Sequence, residues 1–277
     1  MTTTDRGPAA GASPAEAPAV LVERDGHLLI LTINRPHAMN AINADVSRLL
    51  GEALEAAEAD REIRAVVLTG AGQRSFCAGA DLKAVARGES LSPPGQESWG
   101  FAGYVTHAIS KPTIAAVNGF ALGGGTEIAL ASDLVVATDH AVFGLPEVTR
   151  GIIAGAGGAF RLPRQLPLKV AMRLVLTGDP LPAAEALRWG LVNEVVPAAD
   201  LLATARALGE RIARNAPLAV QASKRIALGI SDEGDLADER EDWRRNGEAA
   251  VALMRSRDAR EGPLAFTEKR EPRWEGR

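Results

Sequence analysis

Two glycine-rich turns, about forty residues apart, limit the possible folds of this chain more than any other feature. The first has the sequence Phe-Cys-Ala-Gly-Ala-Asp at residues 76–81, and the second has Asn-Gly-Phe-Ala-Leu-Gly-Gly-Gly at residues 118–125. Each turn follows a β-like run and precedes a helix-like run, so both can direct backbone N–H groups at one point. Converging donors of this kind stabilise a carbonyl oxygen that gains negative charge. The turns therefore predict an α/β core with a site for an oxyanion.

The other apolar runs alternate between strand-like and helix-like patterns. Asp25-Gly26 separates two apolar runs, at 19–23 and 28–33, and is a strong hairpin signal. This alternation predicts helices packed on sheets. Residues 86–99 are predicted to form a mobile loop of the kind that covers substrates. Further strands are predicted at 65–69, 113–117, 134–137 and 142–144, and helices at 45–59 and from 124 or 125 to 132. From about residue 169 the pattern predicts helices only, at 169–176, 183–189, 199–215, 218–229, 235–254 and 256–269.

Composition and charge exclude several classes of partner. The 277 residues carry a net charge of −4, and the scattered Lys and Arg residues give no footprint for nucleic acid or for a membrane surface. No apolar run approaches the roughly 20 residues that a membrane-spanning helix needs. The single cysteine fits a reducing compartment. Residues 1–17 are predicted to be a disordered N-terminal tail rather than a signal peptide, so we predict a cytoplasmic protein.

Ala78 and Gly124, one in each turn, are the candidate oxyanion donors. Small residues leave the backbone accessible, and a helix that follows adds the positive end of its dipole. The alternative is that both glycine clusters are ordinary tight turns.

Glu127 and Glu147 are the candidate acid–base residues. Both fall among Ala, Gly, Val and Leu residues. A carboxylate pair in an apolar pocket can divide acid and base roles between its members, because desolvation raises their pKa values. Each glutamate alone also fits a structural role, since Glu127 lies in the first turn of a predicted helix and Glu147 follows Pro146.

Other reactive side chains fit structural roles better. No histidine has a motif-like relation to Cys77, which we interpret as a small buried residue rather than a nucleophile. The four histidines show no metal-ligand spacing, so no metal site is predicted. The Gly-Ala-Gly-Gly sequence at residues 155–158 lacks the Lys-Ser/Thr ending of a P-loop and is interpreted as a tight turn that opens a helix.

The motifs together resemble the crotonase superfamily, the enoyl-CoA hydratase/isomerase fold. The similarity extends from about residue 19 to residue 273. The resemblance implies an α/β fold with a crotonase-type spiral of ββα units at residues 18–200 and a C-terminal helical trimerisation region at 201–277. The matching segments are residues 31–36, 40–41, 76–82, 111–127, 143–147, 155–158, 161–163 and 190–192.

The resemblance also implies how a substrate would bind. Members of the family hold the carbonyl of an acyl-CoA thioester between two backbone N–H groups, which by motif match are those of Ala78 and Gly124. Phe266 and Lys269 match a C-terminal Phe-x-x-Lys motif that, in some relatives, reaches CoA on a neighbouring subunit. Coenzyme A is part of the substrate, so no separate cofactor is expected, and the chain is expected to form a homotrimer or homohexamer. The other residues expected along the CoA path are His37, Ala38, Met39, Gly79, Ala80, Asp81 and Leu82.

Glu127 and Glu147 match the two catalytic glutamates of the hydratases, whereas isomerases usually keep only the second. The match favours an enoyl-CoA hydratase-type lyase, in which Glu127 activates water for attack at Cβ and Glu147 supplies the proton to Cα. Residues 261–270 resemble the carnitinyl-CoA dehydratase branch, and Ala154 stands where many hydratases have Pro. Two alternatives remain open: double-bond isomerisation, which needs Glu147 but little from Glu127, and a non-catalytic acyl-CoA-binding protein.

Overall fold

Two β-sheets and the helices packed on them form the chain. The computed structural model describes residues 17–92, 94–231 and 236–277, so the predicted tail lies outside the described residues except for residue 17. The strands are β1 Val20–Asp25, β2 Leu28–Ile33, β3 Ala65–Gly70, β4 Ser75–Cys77, β5 Thr113–Val117, β6 Phe120–Leu122, β7 Leu134–Thr138, β8 Val142–Gly144, β9 Leu181–Pro182 and β10 Glu194–Val196. The helices are α1 Ala44–Ala59, α2 Leu82–Ala86, α3 Gly124–Ala131, α4 Gly158–Gln165, α5 Leu168–Thr177, α6 Ala183–Trp189, α7 Leu201–Ala213, α8 Pro217–Leu228, α9 Arg240–Met254 and α10 Asp258–Glu268.

The larger sheet has six strands in the order β1-β2-β3-β5-β7-β10. Strands β1 and β2 are antiparallel and meet at Gly26, whose φ of 58° suits a tight hairpin, so the predicted hairpin is confirmed. The other neighbours in this sheet are parallel. The prediction of an α/β fold is confirmed.

The smaller sheet has the order β4-β6-β8-β9, and β4, β6 and β8 run parallel. The chain passes from β3 to β4, from β5 to β6 and from β7 to β8, so it moves from the larger sheet to the smaller one three times. Since β4 and β6 are adjacent and parallel, the two glycine-rich turns at their carboxyl ends lie side by side. This topology brings together two segments that are about forty residues apart in sequence.

The main hydrophobic core is built on the two sheets and the helices beside them, with Phe76 and Phe143 among its largest buried side chains. A second apolar cluster joins α7 to the larger sheet, where Leu201 and Ala205 pack with Ile114 and its neighbours. Helix α7 lies within the predicted C-terminal helical region, yet it packs on the core. None of the described helices is long and apolar enough to cross a membrane.

The prediction that only helices follow residue 169 is wrong, because β9 and β10 lie in that part of the chain. These strands have two and three residues, too few to show an alternating pattern. The helix predicted at 235–254 begins instead at Arg240, after the 3₁₀ turn Ala237–Glu239, and its predicted first residue lies outside the described residues.

Candidate active site

The end of β4 and the start of α3 are in direct backbone contact. A Cβ atom on Gly125 would overlap the carbonyl of Cys77, and a Cβ atom on Gly79 would lie 3.2 Å from Gly124 N. Gly79 also has a φ of 89°, a conformation that other residues rarely adopt. Glycine at these positions therefore lets the two turns approach each other.

The backbone N–H groups in the first turn have different partners. The Ala78 N–H donates to Met39 O at 3.1 Å, so it is occupied. Residues 79 and 81 exchange hydrogen bonds with Ile42 across an isolated parallel bridge at Ala80, and a bridge of this kind directs the N–H of Ala80 away from Ile42. Among the described residues, the Ala80 N–H donates a hydrogen bond to no backbone acceptor.

The structure therefore moves the first candidate oxyanion donor from Ala78 to Ala80. Gly124 keeps its predicted place, because it is the first residue of α3 and its N–H has no acceptor within the helix. The sequence could not separate Ala78 from Ala80, since the difference depends on the loop at residues 39–42 that runs beside the turn.

Glu127 lies in the first turn of α3 and is buried. Its Oε1 atom accepts a hydrogen bond from Gly158 N at 2.9 Å. Burial, followed by the negative charge of Glu147, raises the pKa of Glu127 to about 8, although the N–H groups of Gly158 and Ala156 and the charge of Arg161 act in the opposite direction.

Glu147 lies in the 3₁₀ turn Pro146–Arg150 that follows β8. The residue is partly exposed, but its Oε2 atom is buried and has no hydrogen-bond partner among the described residues. Its Oε1 atom lies 2.9 Å from the position of a Cβ on Gly123, the residue that precedes α3. Burial raises the pKa of Glu147 to about 7. An unpaired buried carboxylate oxygen is costly, so this atom is a candidate for contact with a substrate.

The structure brings together two carboxyl groups with raised pKa values and two backbone N–H groups that are free to bind a ligand. Two carboxyl groups with pKa values near neutrality can pass a proton in either direction at physiological pH. Two open amides at the start of a helix can hold an oxyanion. The arrangement suits proton transfer next to a carbonyl group that becomes an enolate.

The segment predicted to line the CoA path packs against the first turn. His37 and Ala38 belong to the 3₁₀ turn Pro36–Ala38, and Met39 follows in a left-handed conformation. The carbonyl of Met39 also accepts a hydrogen bond from Ser75 Oγ at 2.9 Å. These contacts place the segment beside the candidate oxyanion donors.

Asp81 and Leu82, also predicted on the CoA path, have different surroundings. Asp81 caps α2 by accepting hydrogen bonds from the next turn, and its Oδ2 atom lies 2.8 Å from Arg35 Nη2. Leu82 is exposed. Asp81 therefore has a structural role that accounts for its side chain, whereas Leu82 is open to a ligand.

Phe266 and Lys269 lie at the end of α10. The Phe266 ring is half exposed, and the Arg150 guanidinium lies 4.0 Å from its centroid. Lys269 is exposed and has a left-handed conformation at the C-cap. The structure thus brings Phe266 to the segment that carries Glu147 in the same chain.

Two residues near the carboxyl pair were missed by sequence reasoning. The Phe101 ring occupies the space that a side chain at Gly124 would need. Arg161 is buried and charged, and it lies one turn after the glycine-rich segment at 155–158. Arg161 falls within a segment that matched the family, so a charged residue in an apolar setting was a usable signal. No comparable sequence signal marks Phe101, because its position depends on packing against α3.

Other candidates remain structural. Cys77 is fully buried, and burial raises the pKa of its thiol to about 12, which agrees with a packing role rather than a nucleophilic one. Residues 155–158 do open a helix, α4, as interpreted from the sequence. Over the part of the chain that the structure describes, no group of three His, Cys, Asp or Glu side chains is arranged to hold a metal ion.

Comparisons with known proteins show which family this chain resembles. The family model described as enoyl-CoA hydratase/isomerase matches residues 23–277. A carnitinyl-CoA dehydratase of Salmonella arizonae is 45% identical over 259 residues, which cover 91% of this chain and 97% of the relative. The crystal structure of a carnitinyl-CoA hydratase from Mycobacterium avium is 59% identical, with a TM-score of 0.93 over 95% of this chain and 100% of that one. An enoyl-CoA hydratase from Mycobacterium tuberculosis is 46% identical, with a TM-score of 0.72 over 94% of this chain and 100% of that one.

Proposed function

The chain belongs to the enoyl-CoA hydratase/isomerase family, and we propose that it is a hydro-lyase that adds water reversibly across the 2,3-double bond of an enoyl-CoA thioester. Its relatives support a hydratase or dehydratase activity. The observation that carries the reaction is the pair of carboxyl groups, Glu127 and Glu147, whose pKa values are raised to about 8 and about 7. An isomerase that moves a proton with Glu147 alone has no use for a second glutamate oriented by backbone amides.

Each group has a role in the proposed reaction. The thioester oxygen accepts hydrogen bonds from the N–H groups of Ala80 and Gly124, which stabilise the enolate. Glu127 takes a proton from water as the water oxygen bonds to Cβ, and Glu147 gives a proton to Cα. In dehydration Glu147 removes the Cα proton and Glu127 protonates the departing hydroxyl group. One oxyanion donor is worth about 3–4 kcal/mol in other enzymes.

For the substrate, the names of the relatives favour carnitinyl-CoA and its dehydration product, crotonobetainyl-CoA, as the first pair to test. The carboxyl pair and the open amides act on the thioester end and are common to any acyl group. Coenzyme A would enter along His37, Ala38 and Met39, and it needs no separate cofactor.

The proposal extends to assembly and location. Helices α8 and α9 have no fully buried residues among those described, and they carry exposed apolar side chains that include Leu218, Ile226 and Val251. We propose that these faces pack between subunits of a homotrimer or homohexamer. The free thiol of Cys77 suits a reducing, cytoplasmic location.

The test follows the absorbance of the enoyl-thioester band with a panel of trans-2-enoyl-CoAs that includes crotonyl-CoA and crotonobetainyl-CoA. We expect the wild-type protein to remove the band, and Glu127→Gln and Glu147→Gln to abolish the reaction. Glu248→Gln, on the exposed surface of α9, is the matched control and should react like the wild type. Activity that survives in Glu127→Gln but not in Glu147→Gln would indicate isomerisation. Binding of CoA esters without turnover would indicate a binding protein.

A further inference from the structure

We infer that helices α9 and α10 are positioning elements for the two glutamates, with α9 holding Glu127 and α10 holding Glu147. The inference rests on the proposed function, because it assumes that these glutamates carry the reaction. It assigns to the C-terminal helices a part in catalysis that is separate from assembly.

Helix α9 contacts the turn that orients Glu127. Gly158, in the turn at residues 155–158, donates its N–H to Glu127 Oε1 at 2.9 Å, and the N–H of Ala156 in the same turn also lowers the pKa of Glu127. On the other side of this turn, Asn246 Nδ2 of α9 donates to Gly155 O at 2.7 Å. The Trp243 ring of α9 lies against the turn, 3.1 Å from the position of a Cβ on Gly157. The turn is therefore held between the carboxyl group and α9.

A buried ion pair fixes the same region to the start of α9. Arg161, in α4, directs its guanidinium at Glu239, with 3.0 Å from Nε to Oε1 and 2.7 Å from Nη2 to Oε2. Both residues are buried, and Trp243 Nε1 donates to Glu239 Oε2 at 3.2 Å. A buried two-point pair has little freedom to shift. A displacement of α9 would consequently move α4 and the turn that precedes α4. The backbone N–H groups that face the Glu127 carboxyl would move with this turn.

Helix α10, in contrast to α9, contacts the turn that carries Glu147. A Cβ atom on Gly262 would overlap the backbone of Arg150, and a Cβ atom on Gly151 would overlap the carbonyl of Asp258. The backbones of the two segments thus pack against each other without intervening side chains. The Arg150 guanidinium over the Phe266 ring adds a second contact at the far end of α10.

Each helix holds a different turn. A substitution in α9 should therefore affect the step that uses Glu127, and a substitution in α10 the step that uses Glu147. Exchange of the Cα proton in a saturated acyl-CoA separates these steps. In D₂O the Glu147 carboxylate removes a proton from Cα, and the enolate is held by Ala80 and Gly124. The carboxyl group then exchanges this proton with D₂O and returns a deuteron to Cα. No water is added and no hydroxyl group leaves, so Glu127 has no proton to transfer in this exchange.

The experiment compares Asn246→Ala in α9 with Gly262→Ala in α10. Their matched controls are Glu248→Ala, an exposed change in α9, and Gly247→Ala, a glycine in α9 with no atom within 4 Å of the added Cβ. Hydration of crotonyl-CoA is measured as kcat and KM, and exchange into butyryl-CoA is followed by NMR. Sedimentation of each variant shows whether assembly has changed.

Asn246→Ala should lower the kcat of hydration by up to about 100-fold, the loss that a displacement of about 1 Å can cause, with KM and Cα exchange close to wild type. Gly262→Ala should lower both hydration and exchange. Both controls should match the wild type in both reactions. If Gly262→Ala fails to fold, Arg150→Met, which removes the guanidinium over the Phe266 ring, should show the same pattern in weaker form.

The inference is overturned if hydration and exchange fall together in Asn246→Ala, or if neither reaction changes in either variant. Failure of the proposed function has a different signature. Either the wild-type protein would hydrate no enoyl-CoA, or Glu127→Gln and Glu147→Gln would hydrate enoyl-CoA as well as the wild type does.

Discussion

At the scale of single residues, the fold raises the pKa values of the Glu127 and Glu147 carboxyl groups into the range where both can transfer protons. Their pKa values, about 8 and about 7, lie well above the usual range of glutamate. Between these values the pair holds one proton and one negative charge. The form with the proton on Glu127 is the one that dehydration needs, and the form with the proton on Glu147 is the one that hydration needs.

We therefore expect a bell-shaped dependence of kcat/KM on pH, with its maximum between about 7 and about 8. At lower pH both groups are protonated and no base remains, whereas at higher pH both are ionised and no acid remains. Initial rates of hydration from pH 5 to pH 10 check this. A flat profile across this range would contradict the assignment of both glutamates.

Burial of Glu127 also predicts a gain in stability when its charge is removed. The native state binds the Glu127 proton more tightly than the unfolded state, because burial raises the pKa from 4.5 to about 8. Stability from this group is therefore lost as the pH rises through that range. Glu127→Gln should raise Tm relative to wild type at pH 9 and much less at pH 5, and Glu248→Gln should have no such effect. An equal difference in Tm at both pH values would contradict the environment described for Glu127.

Gly124 offers a test of the oxyanion site. A Cβ atom at this position overlaps the Phe101 ring, so Gly124→Ala should displace either the ring or the start of α3. We expect kcat to fall by about 100-fold, the loss seen when one oxyanion donor is removed. Adding Phe101→Ala makes room for the methyl group and should restore part of the activity. No recovery in the double variant would show that the ring is not the obstacle.

At the scale of elements, the contact between α1 and the 3₁₀ turn Phe101–Gly103 fixes the segment that carries Phe101. A Cβ atom on Gly103 would overlap the Ser47 carbonyl, and the φ of Gly103 is 63°. Gly103→Ala should lower the free energy of unfolding by roughly 1–3 kcal/mol, from backbone strain and overlap together. Gly88→Ala is a matched control, because Gly88 has a φ of 75° but no atom within 4 Å of the added Cβ. Urea unfolding of both variants measures the difference, and equal losses would exclude a role for the overlap.

The elements that could be predicted from sequence are those with a long pattern or a distinctive turn. Residues 113–117 and 183–189 have the same bounds in the prediction and in β5 and α6. The three-residue strand β8 was predicted at its observed bounds, 142–144. Strands β9 and β10 could not be found, because their pairing is decided by the neighbouring strand rather than by their own pattern. The glutamates and Gly124 could be predicted because they follow recognisable turns. The exchange of Ala78 for Ala80 depends on hydrogen bonds to residues 39–42, which no local pattern reveals.

At the scale of the whole molecule, the exposed apolar side chains of α8 provide a test of assembly. Leu218 and Ile226 are 80% and 81% exposed, values that are unusual for apolar residues spaced two turns apart on one helix. Ile226→Glu should shift the protein towards smaller species in sedimentation, because a charge would be buried in the proposed interface. Gln73→Glu, an exposed change in a loop, should leave the species unchanged. Sedimentation of the wild-type protein as a monomer would contradict the proposed interface.

The contact of α9 and α10 with the turns around the glutamates also has a consequence for the order of synthesis. A ribosome makes both glutamates, and the turns that hold the oxyanion donors, roughly a hundred residues before it makes α10. The sheets can form while these helices are still in the exit tunnel, but the turns around the two glutamates then lack their contacts with α9 and α10. If α9 and α10 position the glutamates as we infer, a nascent chain would have a folded core before its candidate active site is complete.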